Sequence, residues 1–425
     1  MAASLENQTG QAIHAVGGSH IHDVTQVAGD LFQTFLAAPP PLRDRIRIQE
    51  FRSLITERVR SFVGREFVRN AVKALLMSST FPSGYILIRG EPGIGKTAVM
   101  CALANEGGYL HHFNIAPQNI RSSRAFLENI CAQLVVRYGL SHPTLPPSVG
   151  EDSAFLSQLL AEAADVADKP IVILVDAIDE AENSAHDANR LFLPPTLPEG
   201  VYCIISSREQ VDYRLLVDRR EDIYLRDDDP ANLADIRLFV MGFLERDAET
   251  MHGRVASWNV TSEAFVDELV DRSQGNFMYL VHVLGDIRDG RLTPNNIESI
   301  KKLPRGLQAY YQRNWRTMRS QDPSRFDQVF EPVLRLLATV REPVTLDYLE
   351  DLTRLDPARI REVIASWRQF LNETEEAGSP LYRVYHLSFQ DFLAEEGMGL
   401  RPFHERIAMR ALEKIPGFLD GGVSV

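Results

Sequence analysis

The sequence predicts an α/β fold: a parallel sheet with helices on both faces, carrying a phosphate-binding loop and followed by a helical region. Three observations lead there. Gly90-Glu91-Pro92-Gly93-Ile94-Gly95-Lys96-Thr97 is a complete G-x-x-x-x-G-K-T set between an apolar run and a helix-like run. Ile171-Val172-Ile173-Leu174-Val175-Asp176 is a second apolar run that ends on a carboxylate. β-rich and helical runs alternate from about Phe62 to Asp228, and the β signal stops after Asp229-Pro230.

The first strand is expected at Tyr85–Ile88, and Thr97–Ala104 has the Ala, Leu and Met content of the helix that should follow. In that order, backbone N–H groups at the positive end of a helix can hold a triphosphate. The expected nucleotide contacts are Gly90, Gly93, Ile94, Gly95, Lys96, Thr97 and Ala98. Lys96 should reach the β and γ phosphates, and the Thr97 hydroxyl should take one position on Mg²⁺. Further strands are expected at Tyr109–Phe113, Ile171–Val175, Val201–Ser206 and Asp222–Leu225, with helices such as Ser122–Tyr138 and Ala154–Ala167 between them.

The strand ending at Asp176 is expected to lie beside the first, bringing this carboxylate next to the phosphates, where it can hold Mg²⁺ through a water. Asp179 and Glu180 follow just beyond the strand tip, where one of them could orient or activate the attacking water. Val201–Ser206 ends at the same carboxyl edge of the sheet, so Arg208 could reach a γ-phosphate and report its presence.

Composition bounds the possibilities. The 425 residues are 44% hydrophobic and 24% charged, as in an ordinary globular protein of about two to four domains. The net charge of −13 and pI near 5.4 argue against a general binder of nucleic acid or membrane surfaces. Cys101, Cys131 and Cys203 sit in apolar surroundings without a C-x-x-C pair, as core thiols in a reducing compartment do. No apolar run reaches the length of a membrane span and no leader pattern opens the chain, so a cytoplasmic location is expected.

Proline and glycine punctuate the chain. Residues 1–40 form a short polar segment closed by Pro39-Pro40-Pro41, and a lead-in helix is expected within 41–61, from Arg43 to Arg60. The nucleotide-binding domain spans 62–228 and a helical domain 229–303. Leu303-Pro304-Arg305-Gly306 opens a last domain, 304–415, helical with one β-rich segment at Leu381–His386 and a helix at Pro357–Phe370; a tail, 416–425, follows.

Taken together, five ordered motifs resemble the signal-transducing P-loop ATPases of the STAND class, specifically the NACHT type. Phe62-Val63-Gly64-Arg65-Glu66 is similar to the F-x-G-R-E segment before the first helix of the domain. Asp176-Ala177-Ile178-Asp179-Glu180-Ala181 resembles D-A-L-D-E-A, and Ser206-Ser207-Arg208 the sensor motif. Gly275-Asn276-Phe277-Met278-Tyr279 resembles G-N-F-L-Y, and His386-Leu387-Ser388-Phe389-Gln390-Asp391-Phe392-Leu393 resembles H-x-S-F-Q-D-F-L. The resemblance implies that the last domain is a winged helix. It also implies that Phe62 and Val63 contact adenine through their backbone and that His386 touches the β-phosphate of ADP. Plant-type relatives pack a proline of the helical-domain motif on the base; Gly275–Leu280 contains none.

The function implied is an ATP/ADP-dependent switch. An ADP-bound closed monomer converts to an ATP-bound homo-oligomer, with slow hydrolysis, in response to an unknown trigger and toward an unknown effector, in cell defence or programmed death. Two alternatives stay open: a conventional turnover ATPase and a scaffold with a structural nucleotide. Duplex binding by the last domain is disfavoured, because Arg359, Arg361 and Arg368 are interspersed with Asp356 and Glu362. Gly17–Asp30 has the flavour of short motifs that assemble by β-stacking, and a disordered or capping tail is the preferred reading. His20 and His22 lack a third ligand, so no metal is assigned to them.

Overall fold

The computed structural model describes residues 41–413, apart from 116–119, 183–187, 210, 212, 341, 377 and 398, together with four short N-terminal strands. These are β1 (Ser4–Glu6), β2 (Ala12–His14), β3 (Val24–Val27) and β4 (Asp30–Gln33), paired antiparallel as β1–β2 and β3–β4. The His20/His22 pair and the tail 416–425 lie outside the described residues.

The lead-in is two helices, α1 (Leu42–Arg45) and α2 (Ile48–Arg60), where the sequence reads as one. The break has a cause in packing. Ile46 is extended, and the Arg47 N–H donates to the Asn129 side chain (2.9 Å), while Arg45 pairs with Glu128 (2.6 Å). From there α2 buries Phe51 against the rings of His111, His112 and Phe113, fixing the lead-in to the sheet.

Next come α3 (Glu66–Leu76), β5 (Gly84–Gly90), α4 (Lys96–Gly107), β6 (Leu110–Phe113), α5 (Ser123–Tyr138), α6 (Ala154–Val166), β7 (Ile171–Asp176), β8 (Val201–Ser207) and β9 (Arg220–Leu225). The five strands are parallel in the order β6-β7-β8-β5-β9. Alternate residues serve the two faces, as the period of a strand requires. Leu87, Ile173, Val175, Cys203 and Ile205 pack under α5 and α6, while Ile86, Ile88, Val172, Leu174 and Ile204 pack under α2, α3 and α4. The three cysteines are buried and free, and burial pushes each thiol well up.

One expectation about this sheet is corrected. β7, which ends in Asp176, does not lie beside β5; β8 pairs with both and separates them. Parallel strands joined by helical crossovers need not pair in sequence order, and a buried apolar run carries no mark of its neighbour.

Beyond β9 follow α7 (Pro230–Arg246), α8 (Ala248–Ser257), α9 (Ser262–Ser273), α10 (Phe277–Arg288), α11 (Gly306–Gln321), α12 (Pro323–Arg325) and α13 (Glu331–Thr339). Then come β10 (Val344–Thr345), α14 (Leu346–Thr353), α15 (Pro357–Ser366), β11 (Leu371–Glu376), β12 (Ser379–Val384), α16 (Leu387–Glu395) and α17 (Arg401–Glu413). Where one β-rich segment was expected there are three antiparallel strands, ordered β10-β12-β11. The helix expected to reach Phe370 stops at Ser366, and a short 3₁₀ turn, Arg368–Phe370, leads into β11. A single apolar core runs from Ile236 on α7 to Phe403 on α17, with His282 stacked on Tyr310 at 5.4 Å. The helices after β9 and the C-terminal strands therefore pack as one body.

Candidate functional site

The C-terminal edge of the sheet, the α2–α3 connection, the start of α10 and the start of α16 enclose a cleft of about 1110 Å³. The loop between β5 and α4 forms its floor. Gly93 and Gly95 have φ of 83° and 101°, turning backbone N–H groups toward the N-terminus of α4. A Cβ on Gly93 would stand 2.7 Å from Asn276 Oδ1 and 2.9 Å from Met278 Cβ, so only glycine lets α10 close on the loop. That closure is hydrogen-bonded. Asn276 caps α10 through the Tyr279 N–H (3.1 Å) and donates to the Pro92 carbonyl (2.9 Å), while the Met278 N–H donates to the Gly93 carbonyl (3.1 Å).

Lys96 Nζ donates to the carbonyls of Gly90 (2.6 Å) and Glu91 (3.0 Å), which holds the ammonium across the loop. Burial lowers its pKa, with Asp179 and then Asp176 opposing. Asp176 is 4% exposed; burial raises its pKa against hydrogen bonds from the Ser206 and Thr97 hydroxyls. The Ser206 hydroxyl also accepts from the Ala177 N–H (2.8 Å), so β8, standing between β5 and β7, orients the carboxylate. The Thr97–Asp176 pair on buried scaffold suits a hard divalent cation, and the N–H-lined loop suits phosphate. Residues and group fit.

Asp179 and Glu180 lie on a 3₁₀ turn, Ile178–Glu180, entered through Ala177 in a left-handed conformation (φ 51°). They are not equivalent. Arg208 Nε lies 3.2 Å from Asp179 Oδ2, whereas Glu180 has no side-chain hydrogen bond or ion pair among the described residues. Burial, with Asp179 and Asp176 nearby, pushes the Glu180 carboxyl up to about 8. The other end of Arg208 leaves the sheet domain: Nη1 donates to Asp391 Oδ2 of α16 at 2.9 Å.

His386 lines the cleft as the N-cap of α16. Its Nδ1 accepts from the Ser388 N–H (3.2 Å) and lies 2.7 Å from the Ser388 hydroxyl, so the neutral ring carries its proton on Nε2. Burial, with His282, Lys96, Arg208 and Arg58 adding, holds its pKa down to about 3.

The structure brings Phe62, Val63, Gly93, Gly95, Lys96, Thr97, Ala98, Asp179, Glu180, Arg208 and His386 onto one cleft. Asp176 stands behind Thr97 and Ser206, Gly90 contributes its carbonyl to Lys96, and Ile94 is buried with its carbonyl turned to Arg65. Several lining residues escaped the sequence reading. Phe239, Phe277 and Met278 give the cleft an apolar lining beside Phe62 and Val63, although the Gly275–Leu280 motif carries no proline. Arg65, 2% exposed, donates to the Ile94 carbonyl, lies 4.8 Å over the Phe277 ring and leaves Nη1 without a hydrogen bond among the described residues. Arg58 and Asp391 were also missed. Arg65 and Asp391 sat inside quoted motifs, and their charge in otherwise apolar surroundings was the available signal.

These features define a nucleotide-binding P-loop domain. Residues 61–204 match the AAA ATPase domain family. The chain is 29% identical over 166 residues to human NACHT domain- and WD repeat-containing protein 1, covering 36% of this chain and 10% of that protein. The mouse protein of the same name is 27% identical over 175 residues, 38% of this chain and 11% of the relative. The chain thus spans about a tenth of the curated relatives it matches. Among solved structures, a STAND protein with a tetratricopeptide repeat sensor from Pyrococcus horikoshii aligns at a TM-score of 0.35 and 13% identity, over 84% of this chain and 46% of that one. The Drosophila ORC bound to DNA aligns at 0.35 and 15%, over 84% and 98%. Scores that low constrain nothing further. Residues 61–204 therefore carry an AAA-type P-loop ATPase domain, and this part of the chain is similar to NACHT domain-containing proteins. No helix among the described residues is long and apolar enough to cross a membrane.

Proposed function

We propose that the protein is an ATP/ADP-operated signalling switch whose C-terminal body reads the nucleotide through Arg208 and His386. The observation that carries this reading is the bridge from Asp179 through Arg208 to Asp391 (3.2 and 2.9 Å), which joins the end of the nucleotide site to the last body. ATP would lie with its base between Phe62, Val63 and the Phe277–Met278 wall, and its phosphates over Gly93 to Ala98. Thr97 and Asp176 would hold Mg²⁺, which neutralises phosphate charge and helps align the β and γ groups.

The roles of the chain's own residues follow from their partners. Lys96 exchanges loop carbonyls for phosphate oxygens. With Asp179 engaged by Arg208, Glu180 is the carboxylate free to take a proton from water. A γ-phosphate competes with Asp391 for Arg208, so ATP weakens the contact that ADP leaves intact. His386 Nε2–H can donate to a phosphate oxygen in the closed form and is lost when α16 withdraws. A differential of a few kcal/mol between two such states suffices for switching.

We further propose, as the family resemblance implies, that opening exposes an oligomerising surface, that hydrolysis resets the protein slowly, and that the cytoplasm is its location. We read the C-terminal strands with α13 to α16 as a winged helix, 304–415, that follows a helical domain at 229–303 and shares its core. The test is single-turnover hydrolysis: Glu180→Gln should bind ATP normally and lose cleavage. Retained cleavage would remove Glu180 from the mechanism.

A further inference from the structure

Thr97, Asp179, Glu180 and Arg208 face two clefts. On one side is the nucleotide cleft; on the other, a chamber of about 2100 Å³ opens between α2, the edge of the sheet and the β11–β12 hairpin. The two meet beside Glu180, where the proposed reading places the terminal phosphate. Arg383 from β12 and Arg58 from α2, which also lines the nucleotide cleft, line this chamber.

Arg383 has no hydrogen bond or ion pair among the described residues, and its buried Nε lacks a partner. Burial lowers it to about 10, with Glu180 and Tyr385 opposing, so it stays charged at neutral pH. Arg58 Nη2 reaches the Tyr385 hydroxyl at 3.1 Å, while its buried Nε has no partner among the described residues. Asn372, the cross-strand partner of Arg383, adds a neutral amide to the same wall. Buried guanidinium donors left unmatched are costly unless an acceptor arrives, and tetrahedral oxyanions fit their planar fork.

We infer that this chamber receives inorganic phosphate. Resting on the ATPase reading, the inference is that the phosphate cleaved from ATP moves past Glu180 and Arg208 and is held by Arg383 and Arg58 while ADP stays on the loop. Glu50, Glu57, Asp176, Asp179, Glu180 and Glu342 on the same walls keep that hold weak, as a departing product requires. Because Arg383 belongs to the C-terminal body, withdrawal of β12 dismantles the station.

The test titrates inorganic phosphate into the full chain saturated with ADP and Mg²⁺, by calorimetry, with bound ADP measured in parallel. One phosphate per chain should bind at millimolar concentration without displacing ADP. Arg383→Met should weaken it at least about tenfold and Arg383→Lys by less than about threefold, because the ammonium keeps the charge and loses the fork. Arg58→Met, which leaves β12 intact, should weaken it in the same direction. Phosphate that does not bind the ADP-loaded chain, that displaces ADP, or that binds equally to Arg383→Met and Arg58→Met overturns the inference. Failure of ADP itself to bind sinks the ATPase reading instead.

Discussion

Arg208 Nη1 lies 2.9 Å from Asp391 Oδ2, across 183 residues of sequence, while its Nε holds Asp179 at 3.2 Å. The Asp391 side chain is 41% exposed, so this pair is partly screened, and about 1 kcal/mol is a fair worth for it. Asp391→Asn should shift the balance of closed to open forms about fivefold toward open. Faster release of a fluorescent ADP analogue is the readout; an unchanged release rate would mean that the pair does not hold the closed form.

Lys96→Ala removes an ammonium that holds two loop carbonyls and is placed to hold phosphate. Losing a charge-assisted contact of about 1.5–3 kcal/mol should weaken ADP binding about tenfold to a hundredfold. Equilibrium titration with labelled ADP measures it, and affinity within twofold of about the native value would contradict the assignment.

Gly93→Ala tests the closure of α10 on the loop. The new Cβ meets Asn276 and Met278 at a left-handed position, so about 1–3 kcal/mol should be lost. A melting temperature lower by several degrees is expected. Nucleotide affinity should fall with it, since the same loop holds the phosphates.

Glu180 gives a pH signature. Its folded pKa of about 8 lies above the usual carboxylate range, so the folded state keeps the proton longer than the unfolded chain does. Stability tied to this group is therefore complete below the unfolded pKa and declines as pH rises through about 8. Glu180→Gln, always neutral, should melt higher than the native protein at pH near 8 in the absence of nucleotide, and little differently in acid. In turnover the sign reverses, because only the carboxylate accepts a proton; native hydrolysis should rise with pH through the same range.

The phosphate-binding half of the site was legible because its chemistry is local. Gly90 to Thr97 is contiguous, and Asp176 ends an unmistakable apolar run. The order of the strands was not legible, since Val201–Ser207 and Ile171–Asp176 are equally apolar and both buried on two faces. Among the C-terminal strands, the central β12 announced itself, while its neighbours, two-residue β10 and polar Leu-Asn-Glu-Thr-Glu-Glu of β11, carried no β pattern. Arg58, and the bridge that Arg208 makes to Asp391, escaped for another reason. Tyr385 lies 327 residues from Arg58 and Asp391 lies 183 from Arg208, and only folding brings each pair together.

The central claim is that nucleotide identity sets the arrangement of the C-terminal body. The most direct measurement is the size of the purified full chain by light scattering, first with ADP and Mg²⁺ and then after exchange to a non-hydrolysable ATP analogue. The account predicts a monomer with ADP and a larger species with the analogue, the larger species forming already with ADP in Asp391→Asn. A chain that stays monomeric with both nucleotides while turning ATP over rapidly would contradict it.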